Sequence, residues 1–280
     1  SDVCSSDLTK YDNPNRTLTD PYEGQQLGEI WGYVVDGYFK TDEEARNYKV
    51  DQSFVNQMIN ASALDNGLHA GDLKFVDLDG NNKIEQTTSA NDRKDMKVIG
   101  NSLPRYNYNF GISADWYGID FSVLFQGIGK QNWYPGAETS MFWGPYSRPY
   151  ASFIPSDFMS QVWSEENTDA YFPRPRGYVA LGSNRELAVV NTKYLQNLAY
   201  CRLKNLSIGY TLPDKWLSKI GFEKIRVYFS GENLLTFTKL HSDYIDPEQA
   251  SASNSWKTSK SDANIYPWAK TYSFGVDITF

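Results

Sequence analysis

The chain has 280 residues, a formal net charge of −7 and a mean hydropathy of −0.56. That acidity argues against a groove built on Lys and Arg, so no nucleic-acid partner is expected. No run approaches the roughly 18 apolar residues of a transmembrane helix, so a membrane-spanning reading has to be a closed barrel, whose polar lumen and wet loops tolerate a low hydropathy.

Ser1 to Leu8 (SDVCSSDL) reads as translated sequencing-adapter sequence, an assembly scar set apart from the fold. The start lacks the basic region and apolar run of a signal peptide, which an exported protein needs. The expectation is therefore a segment without the N-terminal part of a longer protein. Cys4 belongs to the scar, which leaves Cys201 without an internal disulfide partner.

Residues 9–104 are mixed and turn-rich. Ile30 to Phe39 (IWGYVVDGYF) predicts a strand interrupted at Gly37. Thr41-Asp42-Glu43-Glu44 is a capping box and predicts a short helix from about Asp42 towards Met58, with room for a break in the middle. Asp77 to Glu85 (DLDGNNKIE) has the spacing of a calcium loop: oxygens from Asp77, Asp79, Asn81, the Lys83 carbonyl and Glu85 alternate along a tight turn, as a hard cation requires. Asn82 stands where glycine is usual, and Thr88 cannot be the closing acid, a place that Asp92 takes if Gln86 to Ala90 bulge outward. A plain polar turn is the competing reading.

From Arg105 the texture changes to long strands. Arg105 to Trp116 alternates loosely; Ile119, Phe121, Val123 and Phe125 share one face; Leu206, Ile208, Tyr210 and Leu212 share another; Ile225, Val227 and Phe229 a third. Each run is about the ~9–11 residues of a tilted membrane strand. Tyr117-Gly118 and Pro213 to Glu223 are short links, whereas 130–200 and 235–270 are long excursions. Short links all on one side and long ones on the other are the asymmetry of outer-membrane barrels. Trp133, Tyr134, Trp143, Tyr146 and Tyr150 cluster with prolines in the first excursion, as candidates to face a ligand or a partner; packing of the loop against itself is the alternative. The final strand alternates without error: Tyr272, Phe274, Val276, Ile278 and Phe280 face one way, Ser273, Gly275, Asp277 and Thr279 the other. These five apolar residues are expected to be a barrel-closing signal.

Aromatic residues are 15% of the chain, with 20 Tyr and 8 Trp, which suits a membrane interface or an aromatic-rich soluble lectin-like domain equally. Chemistry-bearing motifs are poor. His69 and His241 are far apart in sequence, no zinc, nucleophile-elbow or phosphate-loop motif occurs, and Gly127-Ile128-Gly129 lacks a third glycine, so the chain is not expected to be an enzyme.

Several runs together resemble one family. They are GDLKFVDLDG from Gly71, Ile99-Gly100, Pro104, YCRLKNLSIGYTLP from Tyr200, SGENLLTFT from Ser230, Asp246-Pro247-Glu248, Tyr266-Pro267 and Tyr272 to Phe280. In this order they resemble the C-terminal part of SusC/RagA-type TonB-linked outer-membrane transporters of Bacteroidetes. The calcium-like loop departs from the family's usual D-x-N-G-D-G. The resemblance implies an all-β fold: the C-terminal portion of a large antiparallel transmembrane β-barrel of ~22 strands, about five to seven of them here, with long extracellular loops and short helices within them. It further implies import of oligosaccharides or peptides, a SusD-like surface lipoprotein as a lid, energy from the TonB system through a plug absent from this chain, contact with outer-membrane lipid, and insertion by the barrel-assembly machinery. Residues 9–104 are then an extracellular loop region and 105–280 the last strands with their outer loops. Calcium is the one cofactor considered. The other reading is a secreted soluble carbohydrate-binding β-domain, which would bury the apolar faces in a dry two-sheet interior.

Overall fold

The computed structural model describes residues 12–56, 67–147, 153–175, 178–182, 185–217, 221–253, 260–261 and 266–280. Ser1 to Leu8, Tyr150 and the Met58 end of the expected helix lie outside these.

In chain order the elements are β1 (Glu29–Tyr33), β2 (Val35–Tyr38), α1 (Asp42–Arg46), β3 (Leu73–Phe75), β4 (Met96–Asn101), β5 (Arg105–Trp116), β6 (Ile119–Lys130), β7 (Asn132–Pro135), α2 (Ser140–Trp143), β8 (Gln196–Asn197), β9 (Tyr200–Thr211), α3 (Asp214–Leu217), β10 (Lys224–Thr238), α4 (Pro247–Ser253), β11 (Lys260–Ser261) and β12 (Thr271–Thr279). Five long strands form one antiparallel sheet in the order β12-β10-β9-β6-β5. The sheet stays open, with β12 and β5 as its edges. The small pairs β1–β4 and β2–β3 and the three-stranded β11-β7-β8 belong to the loop regions.

The wall strands are the five that alternation predicts. Tyr117 and Gly118 both take positive φ, 47° and 84°, which is the handedness a two-residue hairpin needs to follow the strand twist. β10 runs six residues beyond the expected Glu232, to Thr238. Alternation hid this extension because the register shifts between Glu232 and Leu235, where Asn233 has φ 53°. A second shift falls opposite Leu124/Phe125, on β9 at Lys204. Past each bulge the apolar positions resume on their original face.

The predicted helix is corrected in length. Its start is right: Thr41 Oγ1 accepts from Glu44 N at 3.1 Å, and Glu44 Oε2 accepts from Lys40 N at 2.9 Å. It ends at Arg46, because the following chain finds better partners elsewhere. Asp51 N donates to Asn82 O and Ile84 N donates to Asp51 O, at 2.9 and 2.8 Å, which ties this segment to the Asp77–Glu85 turn. The break in the 30–39 strand falls at Val34 rather than at Gly37, which lies within β2.

The excursions are not separate loops. One hydrophobic core joins Tyr33, Leu73 and Phe75 from the first region, Trp133, Trp143, Phe172 and Tyr194 from the second, and Leu240 and Ile245 from the third. A loop domain thus sits on the end of the wall opposite the Tyr117-Gly118 and Pro213–Glu223 links.

Candidate functional site: a two-faced wall under a packed loop domain

Register carries the alternation of single strands across the whole sheet. One row reads Trp116, Ile119 and Tyr210; the next Ala114, Phe121, Ile208, Phe229 and Phe274; the next Ile112, Val123 and Leu206. Every residue of these rows is apolar or aromatic, and much of the face is open to its surroundings: Phe274 is 82% exposed, and Ile112, Phe110 and Val276 are exposed too. So are Tyr272, Ile278 and Phe280. The expected greasy face is therefore present, and among the described residues no second sheet covers it. Aromatics stand at both ends, with Trp116, Tyr117 and Trp216 near the short links and Tyr106, Phe237 and Tyr272 towards the loop domain, all exposed. The 12 residues of β5, at about 3.3 Å each and tilted about 40°, rise about 30 Å, enough to cross the hydrocarbon layer.

The opposite face is polar. Ser113 and Ser122 meet across β5–β6 with oxygens 3.2 Å apart. Arg226 on β10 reaches over β9 to grip Asp120 on β6 through two bonds of 2.7 and 2.6 Å, and it also contacts Asp277 on β12 at 3.1 Å. Gly209 makes this clasp possible, since a Cβ there would lie 2.4 Å from Asp120 Oδ1 and 2.6 Å from Arg226 Nε. The guanidinium stacks over Tyr228, 4.7 Å from its ring centre, and Tyr228 in turn covers Gly275. Ion pairs with this much solvent exposure each contribute little to stability. Their consequence is register, because one Arg links three strands on the polar face.

A stronger ionic joint holds the loop domain to the wall. Arg202 on β9 is 2% exposed and donates to Asp246 Oδ2 at 2.6 Å, Glu248 Oε2 at 2.7 Å and Thr236 Oγ1 at 3.0 Å. Lys204 adds bonds of 3.1 and 2.9 Å to Glu248 and lies 5.2 Å from the Trp268 ring centre. Asp246 also caps α4, with its Oδ1 accepting from Glu248 N at 2.9 Å. The sequence motifs R-L-K and D-P-E are thus two halves of one contact. Their charges are the signal that could have paired them in advance. A neutral joint lies nearby, where Ser251 Oγ donates to Gln131 Oε1 and Gln131 Nε2 to Ser102 O, at 2.7 and 2.8 Å.

The aromatic cluster of the first excursion is corrected. Trp133, Tyr134 and Trp143 are fully buried and Tyr146 nearly so, as interior residues of the loop domain rather than a face for ligand or partner. Their polar tips are consumed inside. Tyr134 Oη donates to Leu187 O, Trp143 Nε1 to Gly136 O and Tyr146 Oη to Pro173 O, at 2.8, 2.9 and 2.6 Å. Burial pushes the Tyr134 and Tyr194 phenols far above their ordinary pKa and Tyr171 up to about 12. Three discontinuous segments build this core, which local sequence does not reveal.

In the calcium-like turn, Gly80 and Asn82 take positive φ, 78° and 62°. Asp77 accepts from Gly80 N and Asn82 N at 2.7 Å each, and Lys83 N donates to Asn81 Oδ1 at 2.8 Å. Asn81 Nδ2 donates to Asp79 and to Glu85. Carboxylate oxygens of Asp77, Asp79 and Asp95 lie within 4.8 Å of one another. Asp95, which the spacing missed, is buried and accepts from Leu78 N and Glu85 N at 2.8 and 2.7 Å. Burial raises its pKa against those two hydrogen bonds. Desolvation also acts on Asp77, but the N–H groups of Asn82 and Gly80 outweigh it and hold its carboxyl below the usual range. Asp92 points elsewhere, to Lys94 at 3.5 Å.

Face, height and loop asymmetry define a class: the wall of an outer-membrane-type β-barrel, not closed within this chain. No family model matches the chain. In sequence it is 28% identical over 264 residues to TonB-dependent receptor P3 of Formosa agariphila, an alignment covering 92% of this chain and 22% of that protein. It is 26% identical to TonB-dependent receptor P39 of the same organism, over 92% of this chain and 25% of that protein. In fold it is similar to the RagAB peptide importer in its "open-open" state, with TM-score 0.55, 19% identity and coverage of 96% of this chain and 24% of that one. The "closed-closed" state gives a TM-score of 0.53 at 19% identity, over 96% of this chain and 25% of that one. The chain is thus similar over most of its length to a segment of TonB-dependent receptors and shares the fold of part of a RagAB chain, and it spans 22% and 25% of the length of the two curated relatives.

Proposed function

We propose that the full-length protein is an outer-membrane transporter that imports oligosaccharides or peptides, energised by the TonB system through a plug that precedes this segment. In this reading a SusD-like lipoprotein rests on the loop domain, and the apolar rows of the wall face outer-membrane lipid after insertion by the barrel-assembly machinery. The observation that carries it is the register-aligned apolar face, uncovered and rimmed by aromatics, backed by a polar, ion-paired one. A soluble carbohydrate-binding domain would leave that face in water, where a contiguous patch of this size drives aggregation. The decisive experiment fractionates cells expressing the full-length protein and measures nutrient uptake with and without an intact TonB system. A heat-modifiable outer-membrane band with TonB-dependent uptake is expected; a soluble protein, or uptake indifferent to TonB, overturns the reading.

Calcium is proposed for the Asp77–Glu85 turn, with Asp77, Asp79 and Asp95 as the acidic donors and Asn81 and the Lys83 carbonyl as neutral ones. Three carboxylates so close together suit a divalent hard cation. The expected result is a fall in melting temperature on chelation that disappears in Asp95→Asn but persists in Asp92→Asn. An unchanged melting temperature on chelation rules the ion out.

A further inference from the structure

One phenol in the loop-domain core lacks a partner. Tyr33 is 3% exposed, its ring meets Phe75 edge-on with centroids 5.9 Å apart, and its Oη has no hydrogen bond to any described residue. Its neighbours in that core are satisfied: Tyr38, Tyr134 and Tyr146 each donate to a backbone carbonyl. A buried hydroxyl left unpaired costs stability, so such an orphan marks a place for a group from outside the chain, a water or an ion. Register says which group that is. Tyr33 pairs with Met96 across β1–β4, next to Asp95 at the head of β4. Burial raises the Tyr33 pKa, and the Asp95 charge raises it further. No direct hydrogen bond joins the two, because the oxygens of Asp95 accept from Leu78 N and Glu85 N. Polar groups that face each other across such a gap meet through water. On its other side Asp95 closes the turn with Asp77 and Asp79.

We propose that Tyr33 Oη is the buried outer partner of a divalent cation in the Asp77–Glu85 turn, fixing a water that binds the ion beside Asp95. The inference rests on the calcium reading above and adds a positioning residue from far outside the motif. Calcium takes about six to eight oxygens, more than the residues named for the turn supply with one atom each, so a place is left for water. A metal-bound water turns its oxygen to the ion and needs acceptors for its hydrogens. The phenol oxygen is a neutral acceptor, suited to a place that already holds three carboxylates, where a further acid adds repulsion. Tyr33 is itself stitched to the first excursion, its N donating to Val190 O at 2.9 Å and its O accepting from Thr192 N at 3.0 Å. An ion held in this way fastens the turn to the core of the loop domain, and partners of this kind set metal affinity from outside the ligand shell.

The test uses the full-length protein in detergent and terbium luminescence, with terbium in the place of calcium. Lifetimes in light and heavy water count the waters on the ion. The part of the signal that Asp95→Asn abolishes belongs to this turn; it is expected to saturate, to be displaced by calcium and to report at least one bound water. Tyr33→Phe should keep that signal but weaken terbium affinity about tenfold. Tyr134→Phe also deletes a buried hydroxyl, but one bonded to Leu187 O, and should bind terbium like wild type. Heat-modifiable mobility on a gel verifies that each variant is folded. Wild-type affinity in Tyr33→Phe, an ion without bound water, or equal weakening in Tyr134→Phe overturns the role of Tyr33 and leaves the calcium reading standing. No Asp95-dependent signal at all overturns both.

Discussion

Buried and exposed charges in this chain call for different magnitudes. Arg202 has two carboxylates and a hydroxyl around it and almost no water. Removing it strands the buried Asp246, while Glu248 keeps Lys204, and an uncompensated buried charge costs about 3–5 kcal/mol. Arg202→Met should therefore release α4 and the 235–250 stretch from the wall, seen as faster hydrogen exchange there with exchange in β9 and β10 below the bulges unchanged. Arg226 is similarly well bonded but solvated, so its removal should cost far less stability than removal of Arg202. The same contrast separates two glycines. A Cβ on Gly209 meets the ends of flexible side chains, which can move. A Cβ on Gly118 meets the backbone oxygen of Thr211 at 2.8 Å, and its φ is 84°, so neither space nor conformation yields. Gly118→Ala should lower the melting temperature of the full-length barrel, by about 1–3 kcal/mol of stability, and Gly209→Ala by distinctly less.

Elements in this chain fall into those with a period and those without. The five wall strands were legible because each has one wet and one apolar face, and a two-residue period needs no knowledge of the neighbours. What alternation missed lies at the bulges, where Lys204 and the Asn233-Leu234 pair interrupt the count. The packing of the loop domain was not legible, although the capped start of α1 within it was. Trp133, Trp143, Phe172 and Tyr194 pack together from positions up to 61 residues apart, at irregular spacing, so that aromatics that read as a recognition surface are interior. Asp95 escaped for a related reason, since the acid that closes the turn comes from beyond the motif's usual length. His241 gives this domain a pH dependence. Its ring stacks on Tyr171 with centroids 3.5 Å apart, and Nε2 lies 2.8 Å from Gln161 Oε1. Burial holds its pKa below the ordinary value, helped by Lys193 and opposed by Asp243. The unfolded chain then binds the proton more readily, so the stabilisation is present above about pH 6.5 and is lost as the pH falls below it. Hydrogen exchange in α2 and β8 of the full-length protein should quicken between pH 7.5 and 5.5, and His241→Phe, which keeps the stack, should flatten that change.

At the scale of the whole molecule the decisive fact is an open sheet. β5 and β12 each leave one side unpaired, and a row of free N–H and C=O groups is intolerable in lipid. Within a complete barrel those two edges find strands that this chain does not contain. β12 is the more demanding of the two. Its nine residues pair with β10 from Lys224↔Thr279 to Glu232↔Thr271, while its apolar side chains stand outward and uncovered. Phe280 continues that row, 81% exposed, with its ring 5.1 Å from Phe222 at the foot of β10. Little packing within the chain would be lost with it, so deletion should barely alter the stability of a barrel already formed. In the proposed transporter, it is expected instead to be a contact for the machinery that inserts the barrel. Deleting Phe280 from the full-length protein should thus reduce the amount of heat-modifiable barrel reaching the outer membrane, with the melting temperature of what does arrive nearly unchanged. An equal yield would show that the terminal ring is dispensable for assembly, and an equal loss of yield and melting temperature would assign it to packing rather than recognition.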